Sequence, residues 1–198
     1  MERDDWLRVA WKVMVAGKSD ARRLVFVDEM GTNTTSLCPV YGWASKGERA
    51  RWSVPRNRGP NTTLLASMSV EGMRACLAML GATTAAVFEA YVEKVLVPSL
   101  RRGQIVVMDN LSAHKGGRGR ELIEERGCKL LYLPPYSPPD YNPTEEAFSK
   151  IKGLMRKAEV RTREALIEAM GKAISAVSAR DARGFFKHCG YGTPIQSL

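Results

Sequence analysis

Short apolar runs alternate along the chain with longer stretches in which apolar residues recur every three to four positions. A run of four or five apolar residues is typical of a buried strand, and we predict such strands at 24–27, 105–108 and 129–133. Helical spacing of apolar residues predicts helices over 1–23, 83–100, 117–126, 142–157 and 163–179, followed by a short glycine-containing tail. Strands followed by helices predict the α/β class.

The region between the first two buried strands has a different pattern, in which turn residues and short alternating runs dominate. The strands that we predict in this region lie at 41–43, 49–54, 62–70 and 73–80. A tight turn at Glu71-Gly72 joins the last two into an antiparallel hairpin. Because neither an internal repeat nor a linker interrupts the pattern, we expect a single domain over residues 1–198.

Composition excludes several classes of protein. Of 198 residues, 44% are hydrophobic and 26% are charged, which is typical of a chain that builds a core. No stretch approaches the roughly 20 apolar residues of a membrane-spanning helix, and the charged N-terminus does not resemble a signal peptide. The four cysteines are scattered and only two histidines are present, which disfavours a zinc site or a disulfide framework. We therefore expect a soluble, cytoplasmic protein with reduced thiols.

Positive charge is concentrated in two segments. The net charge is +9, and the segments 46–58 and 150–163 together account for the whole surplus. One such cluster is compatible with a merely solvated surface, but two favour a polyanionic partner, and nucleic acid is the most plausible one.

Three acidic residues are candidates for chemistry at one edge of the predicted sheet. Asp28 and Asp109 each follow a buried strand, and Glu145 opens a helix behind Pro143 and Asn142, which we predict to be the N-cap. Ligands of α/β proteins gather at the carboxyl ends of the strands, and carboxylate oxygens suit Mg²⁺. Such a set can hold two ions about 3.5–4 Å apart. The alternatives are ordinary turn chemistry for the two aspartates and a capping box for Glu145.

Helical phase places basic residues beside Glu145. At about 100° per residue, Lys152 and Arg156 lie within a narrow sector around Glu145, whereas Glu146 points away from it. The apolar stripe of this helix occupies the other side. This arrangement favours an acidic centre followed by contacts to DNA phosphates.

Several ordered motifs resemble the DDE transposases of bacterial insertion sequences, in the insertion sequence six-thirty family that is related to the mariner elements. They are FVDE at 26–29, YGW at 41–43, GER at 47–49, VVMDNLSAH at 106–114, LPPYSP at 133–138, NPTE at 142–145 and FSKIK at 148–152. The resemblance covers about residues 20–180. It implies an RNase H-like fold, which is a mixed sheet flanked by helices, and Mg²⁺-dependent cleavage of DNA followed by strand transfer.

The resemblance also implies roles for individual residues. Asp28, Asp109 and Glu145 correspond to the catalytic, metal-binding acids, which would hold two Mg²⁺ ions, with Mn²⁺ as a substitute. His114 lies near the site in the family pattern, although an exposed loop histidine is an equal alternative. Together with the basic clusters, this predicts nucleic-acid contacts by Lys152, Arg156, Arg49, Arg51, Arg56, Arg58 and His114.

The chain departs from the family pattern in three ways. Pro139 is an extra residue, so that 35 residues lie between Asp109 and Glu145, and Thr144 replaces a usual aliphatic residue. Complete members carry N-terminal helix-turn-helix domains, which the residues before 24 are too few to form. We therefore expect a catalytic half that works with an upstream reading frame. A homodimer is a separate expectation for its assembly. The alternatives are a non-catalytic DNA-binding remnant and a hydrolytic nuclease without strand transfer.

Overall fold

The computed structural model describes residues 5–17, 19–38, 41–51, 53, 59–110, 117–134 and 141–192. Five strands in these residues form one sheet in the order β3-β2-β1-β4-β5. Their bounds are β1 (Leu24–Thr32), β2 (Thr62–Ser69), β3 (Gly72–Leu80), β4 (Ile105–Met108) and β5 (Lys129–Tyr132). The sheet is mixed, because β1, β2 and β3 pair in antiparallel fashion whereas β1, β4 and β5 are parallel neighbours.

Helices cover both faces of the sheet. They are α1 (Asp5–Trp11), α2 (Ala85–Tyr91), α3 (Val97–Ser99), α4 (Gly117–Glu125), α5 (Pro143–Lys157), α6 (Arg163–Ser175) and α7 (Ala179–His188). Residues 12–16 extend α1, and residues 92–96 join α2 to α3, both as π-helix. None of the helices in the described residues is long and apolar enough to cross a membrane. The expected mixed sheet flanked by helices is confirmed.

Alternation along β1 divides the interior into two cores. Phe26 packs in the core that β1 shares with α5, α6 and α7. Val25 and Val27 point to the opposite face and pack against α2 and α4. Since successive side chains of a strand alternate between faces, Asp28 lies on the side of α5.

The C-terminal part differs from the expectation of one long helix over 163–179 followed by a tail. Helix α6 ends at Ser175 and α7 begins after Ser178. The Ser178 hydroxyl accepts from the Asp181 amide, and the Asp181 carboxylate accepts from the Ser178 amide. This capping box starts a new helix, and Phe186 packs into the α5 core. Lys150 of α5 pairs with the Asp181 carboxylate at 2.7 Å.

Two short strands predicted between β1 and β2 are absent from the described residues. Residues 41–43 have no strand pairing, and neither do residues 49–51 and 53 of the predicted strand 49–54, whose remaining positions lie outside the described residues. The side chains of Tyr41 and Trp43 are 91% and 103% exposed. A strand needs a neighbour and a buried face, and the described residues 41–51 show neither.

Candidate active site

The register of two parallel strands brings Asp28 and Asp109 together. Val27 of β1 pairs with Met108 of β4, so that the next residue of each strand is an aspartate at the carboxyl edge of the pair. Val107 packs in the same core as Phe26, and alternation therefore directs Asp109 to the side of the sheet on which Asp28 lies. Asp28 is buried at 6% exposure, and Asp109 is partly buried.

The start of α5 holds the Asp28 carboxylate in place. Asn142 caps the helix by accepting from the Thr144 amide at 3.2 Å, and its side-chain amide donates to Asp28 Oδ2 at 2.7 Å. The Thr144 hydroxyl lies 3.3 Å from the same oxygen, and the Glu29 amide donates to Asp28 Oδ1 at 2.7 Å. One short motif thus begins a helix and fixes an acidic side chain of the neighbouring strand.

The Asp28 carboxylate is in an unfavourable environment for negative charge. Burial raises the pKa of Asp28 from 3.8 to about 7, and the charges of Glu145 and Asp109 raise it further, against the opposing effects of the Glu29 amide and the Thr144 hydroxyl. These electrostatic effects place Glu145 and Asp109 each within interaction range of Asp28.

Glu145 lies in the first turn of α5 and is exposed. Asn142 caps the helix as predicted by accepting from the Thr144 amide. Within the described residues, no bond from the Asn142 backbone amide to the Glu145 carboxylate completes a capping box. Its neighbour Glu146 is partly buried and pairs with His188 of α7. Glu146 points away from the Glu145 sector, as helical phase predicts, and links α5 to α7 through His188.

A buried hydrogen-bonded chain supports the residue before Asn142. Trp11 Nε1 donates to the Tyr191 hydroxyl at 2.9 Å, and that hydroxyl donates to the Tyr141 carbonyl at 2.7 Å. Two segments from opposite ends of the described chain therefore fix the approach to α5. Sequence reasoning missed this support, and also the second role of Asn142. The latter had a signal, because an N-cap uses the side-chain oxygen and leaves the NH₂ group free for another partner.

The predicted DNA-contacting residues fall into three groups. Lys152 is partly buried and Arg156 is exposed on α5, and Arg49 and Arg51 are exposed in the segment 41–51. The remaining predicted residues lie outside the described part of the chain: Arg56, Arg58 and His114. The structure thus places one basic pair on the helix of Glu145 and another between β1 and β2.

The side chains as they stand do not form a closed metal cage. Within the described ranges, no three acidic, histidine or cysteine side chains lie close enough together to hold a metal ion. The donor chemistry nevertheless fits a hard cation, because the acids near Asp28 offer oxygen ligands and because their mutual repulsion contributes to the raised pKa of Asp28.

Comparisons with known proteins agree with this architecture. A family model described as DDE superfamily endonuclease matches residues 23–167. A pre-cleavage Mos1 transpososome has 16% identity and a TM-score of 0.75 over 96% of this chain and 61% of that chain. The Mos1 strand transfer complex has 17% identity and a TM-score of 0.75 over 96% and 60%.

A shorter structure, the Mos1 transposase catalytic domain with raltegravir and Mn, has 15% identity and a TM-score of 0.64 over 94% of this chain and 84% of that chain. These likenesses confirm the expected RNase H-like fold. The chain spans about 60% of the length of the transpososome chains that it matches. No curated protein matches the chain.

Proposed function

The chain belongs to the DDE superfamily endonucleases, and from this premise we propose that it is the catalytic domain of a transposase that cleaves DNA strands at element ends and transfers them to target DNA. The observation that carries the proposal is the side-by-side position of Asp28 and Asp109 at the carboxyl edge of two parallel strands, with Glu145 close enough to raise the pKa of Asp28. Three acids from distant parts of the sequence have no structural need to meet there.

The donor set supports Mg²⁺ as the cofactor. Asp28, Asp109 and Glu145 would hold the metal, with two ions expected and Mn²⁺ as a substitute, because hard divalent cations prefer carboxylate oxygens. Such ions, when bound, activate the attacking hydroxyl and stabilise the leaving oxygen in phosphoryl transfer.

The residues around Asp28 restrict the orientation of its carboxylate group. Asn142 and Thr144 approach Oδ2 from the start of α5, and the Glu29 amide approaches Oδ1. A carboxylate oxygen accepts two hydrogen bonds, so that Oδ1 retains acceptor capacity beyond the bond from Glu29. We infer that Asn142 is a positioning residue, which limits the rotation of Asp28 before substrate arrives.

The basic residues support DNA as the partner. Lys152 and Arg156 follow Glu145 along α5, so that a DNA strand whose cleaved bond lies near the acids would pass over them. Arg49 and Arg51 are exposed in the segment between β1 and β2. Arg56, Arg58 and His114 are proposed contacts on sequence grounds. We extend the proposal to the domain organisation, with a single domain over residues 1–198. We propose that it acts in the cytoplasm and lies on the nucleoid when it is bound to DNA. For its assembly, we propose a homodimer and an upstream helix-turn-helix partner.

Nicking of supercoiled plasmid tests the proposal. The wild-type protein should nick DNA with Mg²⁺ or Mn²⁺ and stop in excess chelator, and Asp109→Asn and Glu145→Gln should reduce the rate by at least about a hundredfold, the scale on which loss of a key charge-stabilising group acts. Glu146→Gln is the matched control on the adjacent residue. It should nick at close to the wild-type rate, since Glu146 pairs with His188 instead of facing the acids.

The products separate the proposed function from its alternatives. Joined products with a labelled target duplex support a transposase, whereas nicking without joined products indicates a hydrolytic nuclease. DNA binding without nicking in either metal identifies a non-catalytic remnant. If Glu146→Gln is inactive and Glu145→Gln is active, the third catalytic acid is Glu146 instead of Glu145.

A further inference from the structure

A cavity of about 190 Å³ lies away from the three acids, where the end of β1, the start of β2 and the start of α6 meet. The residues that matter in its lining are Asn33 and Thr34 after β1, Thr62 of β2, and Arg161 and Arg163 at the start of α6. Both arginines belong to the basic segment 150–163, but neither was among the individual residues predicted to contact DNA.

The α6 side of the cavity is suited to an anion. Arg161 and Arg163 flank the N-cap residue Thr162, both are exposed, and neither forms an ion pair with another described residue. The Thr162 hydroxyl accepts from the Ala165 amide at 3.2 Å. The backbone amides of Arg163 and Glu164, which open the helix, have no acceptor within the helix. The positive end of the dipole of this 13-residue helix adds to the charges of the two guanidinium groups. Together they outweigh the single negative charge of the exposed Glu164 in the first turn.

The β2 side holds a polar group that lacks a partner. Thr62 is 2% exposed and is one of the residues that line the cavity, and its Oγ1 has no hydrogen-bond partner among the described residues. The hydroxyl of the neighbouring Thr63, by contrast, donates to the Gly81 carbonyl. A buried hydroxyl without a partner is costly, and an oxyanion bound next to Thr62 would offer this hydroxyl an acceptor.

We propose that this cavity binds a phosphate group of the DNA backbone, held by Arg161, Arg163 and the Thr62 hydroxyl. The inference rests on the proposed function, which makes DNA the substrate. Asn33, the first residue after β1, follows Asp28 by five residues, a distance of roughly 16 Å at strand rise, which corresponds to about five base steps of duplex DNA. The site would therefore bind the DNA backbone about five base steps from the cleaved bond and so fix the position of the duplex relative to the three acids.

Equilibrium binding of a labelled duplex tests the site, with fluorescence anisotropy measured in EDTA at several salt concentrations. Arg161→Gln and Arg163→Gln should each weaken binding and reduce the slope of log affinity against log salt by about one. Thr62→Val should weaken binding roughly two- to tenfold, the value of about one hydrogen bond, while its melting temperature stays equal or rises because an unpartnered buried hydroxyl is removed.

Matched controls separate the site from general effects of substitution. Thr83 also carries a buried hydroxyl oxygen without a partner among the described residues, and it lies outside the cavity, so Thr83→Val should bind DNA like the wild type. Lys172→Gln removes a charge from the other end of the same helix, where Lys172 pairs with Glu168, and should leave the salt slope unchanged.

The possible results either support or overturn the inference. Wild-type affinity and slope in Thr62→Val, Arg161→Gln and Arg163→Gln overturn it. If inorganic phosphate raises the melting temperature of the wild type but not of Thr62→Val while DNA affinity is unchanged, the site takes free phosphate and the DNA role is overturned. Because binding is measured without metal, weakened DNA binding by these variants supports the site even if plasmid nicking fails and the proposed function falls.

Discussion

Replacing Asp28 by asparagine should change how the stability of the metal-free protein depends on pH. Burial raises the pKa of Asp28 from 3.8 to about 7 in the folded protein, with Glu145 and Asp109 adding to the effect. The folded state therefore binds this proton more tightly than the unfolded state does. The stabilisation is fully present below about pH 4 and is lost as the pH rises through about 7.

The magnitude follows from the two pKa values. A pKa difference of one between the folded and unfolded states corresponds to about 1.4 kcal/mol, so that Asp28 removes about 4 kcal/mol of unfolding free energy between acid and neutral pH. Of this, about 2.5 kcal/mol falls between pH 5 and pH 8. Such a change is a large fraction of the total stability of a domain.

Urea unfolding in EDTA at pH 5, 6, 7 and 8 measures the effect. The wild type should lose stability across this range, and Asp28→Asn should lose about 2.5 kcal/mol less, because its other titrating groups are shared with the wild type. Asp20→Asn is the control: the Arg22 guanidinium lowers the pKa of Asp20, so its titration lies below the window. Mg²⁺ should stabilise the wild type more at pH 8 than at pH 5. Equal pH dependence in wild type and Asp28→Asn would refute the reasoning.

Three further changes test other parts of the structure by chemical unfolding. Tyr191→Phe leaves the Trp11 indole and the Tyr141 carbonyl without their shared partner and should cost about 1–3 kcal/mol; a cost near zero contradicts the buried chain. Glu159→Gly should stabilise the protein by about 1 kcal/mol, because Glu159 has φ of +49° after α5, and Glu159→Ala, which keeps the side-chain constraint, should show no such gain. Ser178→Ala should cost about 1 kcal/mol, and wild-type stability in this variant would argue against the capping box.

Local pattern was sufficient to predict the elements that are apolar and well capped. The predicted strand 105–108 coincides with β4, and the predicted N-cap at Asn142 is the one observed before α5. In both cases the signal lies in the segment itself, as a continuous apolar run or as a cap followed by proline. The order of three acidic motifs was equally readable, which explains why the fold class and family could be predicted.

Elements that depend on distant neighbours were harder to predict. The predicted strand 24–27 stops at the polar pair Asp28-Glu29, whereas β1 continues to Thr32 because β2 pairs with it beyond the point where β4 ends. Helix α7 was not predicted, because its many charged residues obscure the helical spacing of the apolar residues Ala182 and Phe186. These two residues are buried by packing against α5 and the sheet, which are distant in sequence.

The candidate site shows the same limit at the level of single side chains. Sequence indicated which acids to examine, but the bonds from Asn142 and Thr144 to Asp28 require the start of α5 to meet the middle of β1. No spacing rule connects positions so far apart. The catalytic and DNA-binding roles of the individual residues stay predictions until the variants described above are measured.

The strand order has a consequence for how the protein folds. The antiparallel strands β1, β2 and β3 are consecutive in sequence. The parallel pairing of β1 with β4, by contrast, joins Leu24 to Ile105, and β2, β3 and α2 lie between these two residues in the chain. Contacts between distant segments form slowly because long loops must close first. A growing or partly folded chain would therefore possess the hairpin sheet before Asp109 and α5 join it. If the proposed cleavage needs all three acids, a DNA-cutting activity would arise only in the completed fold, and immature chains would leave the cell's DNA intact.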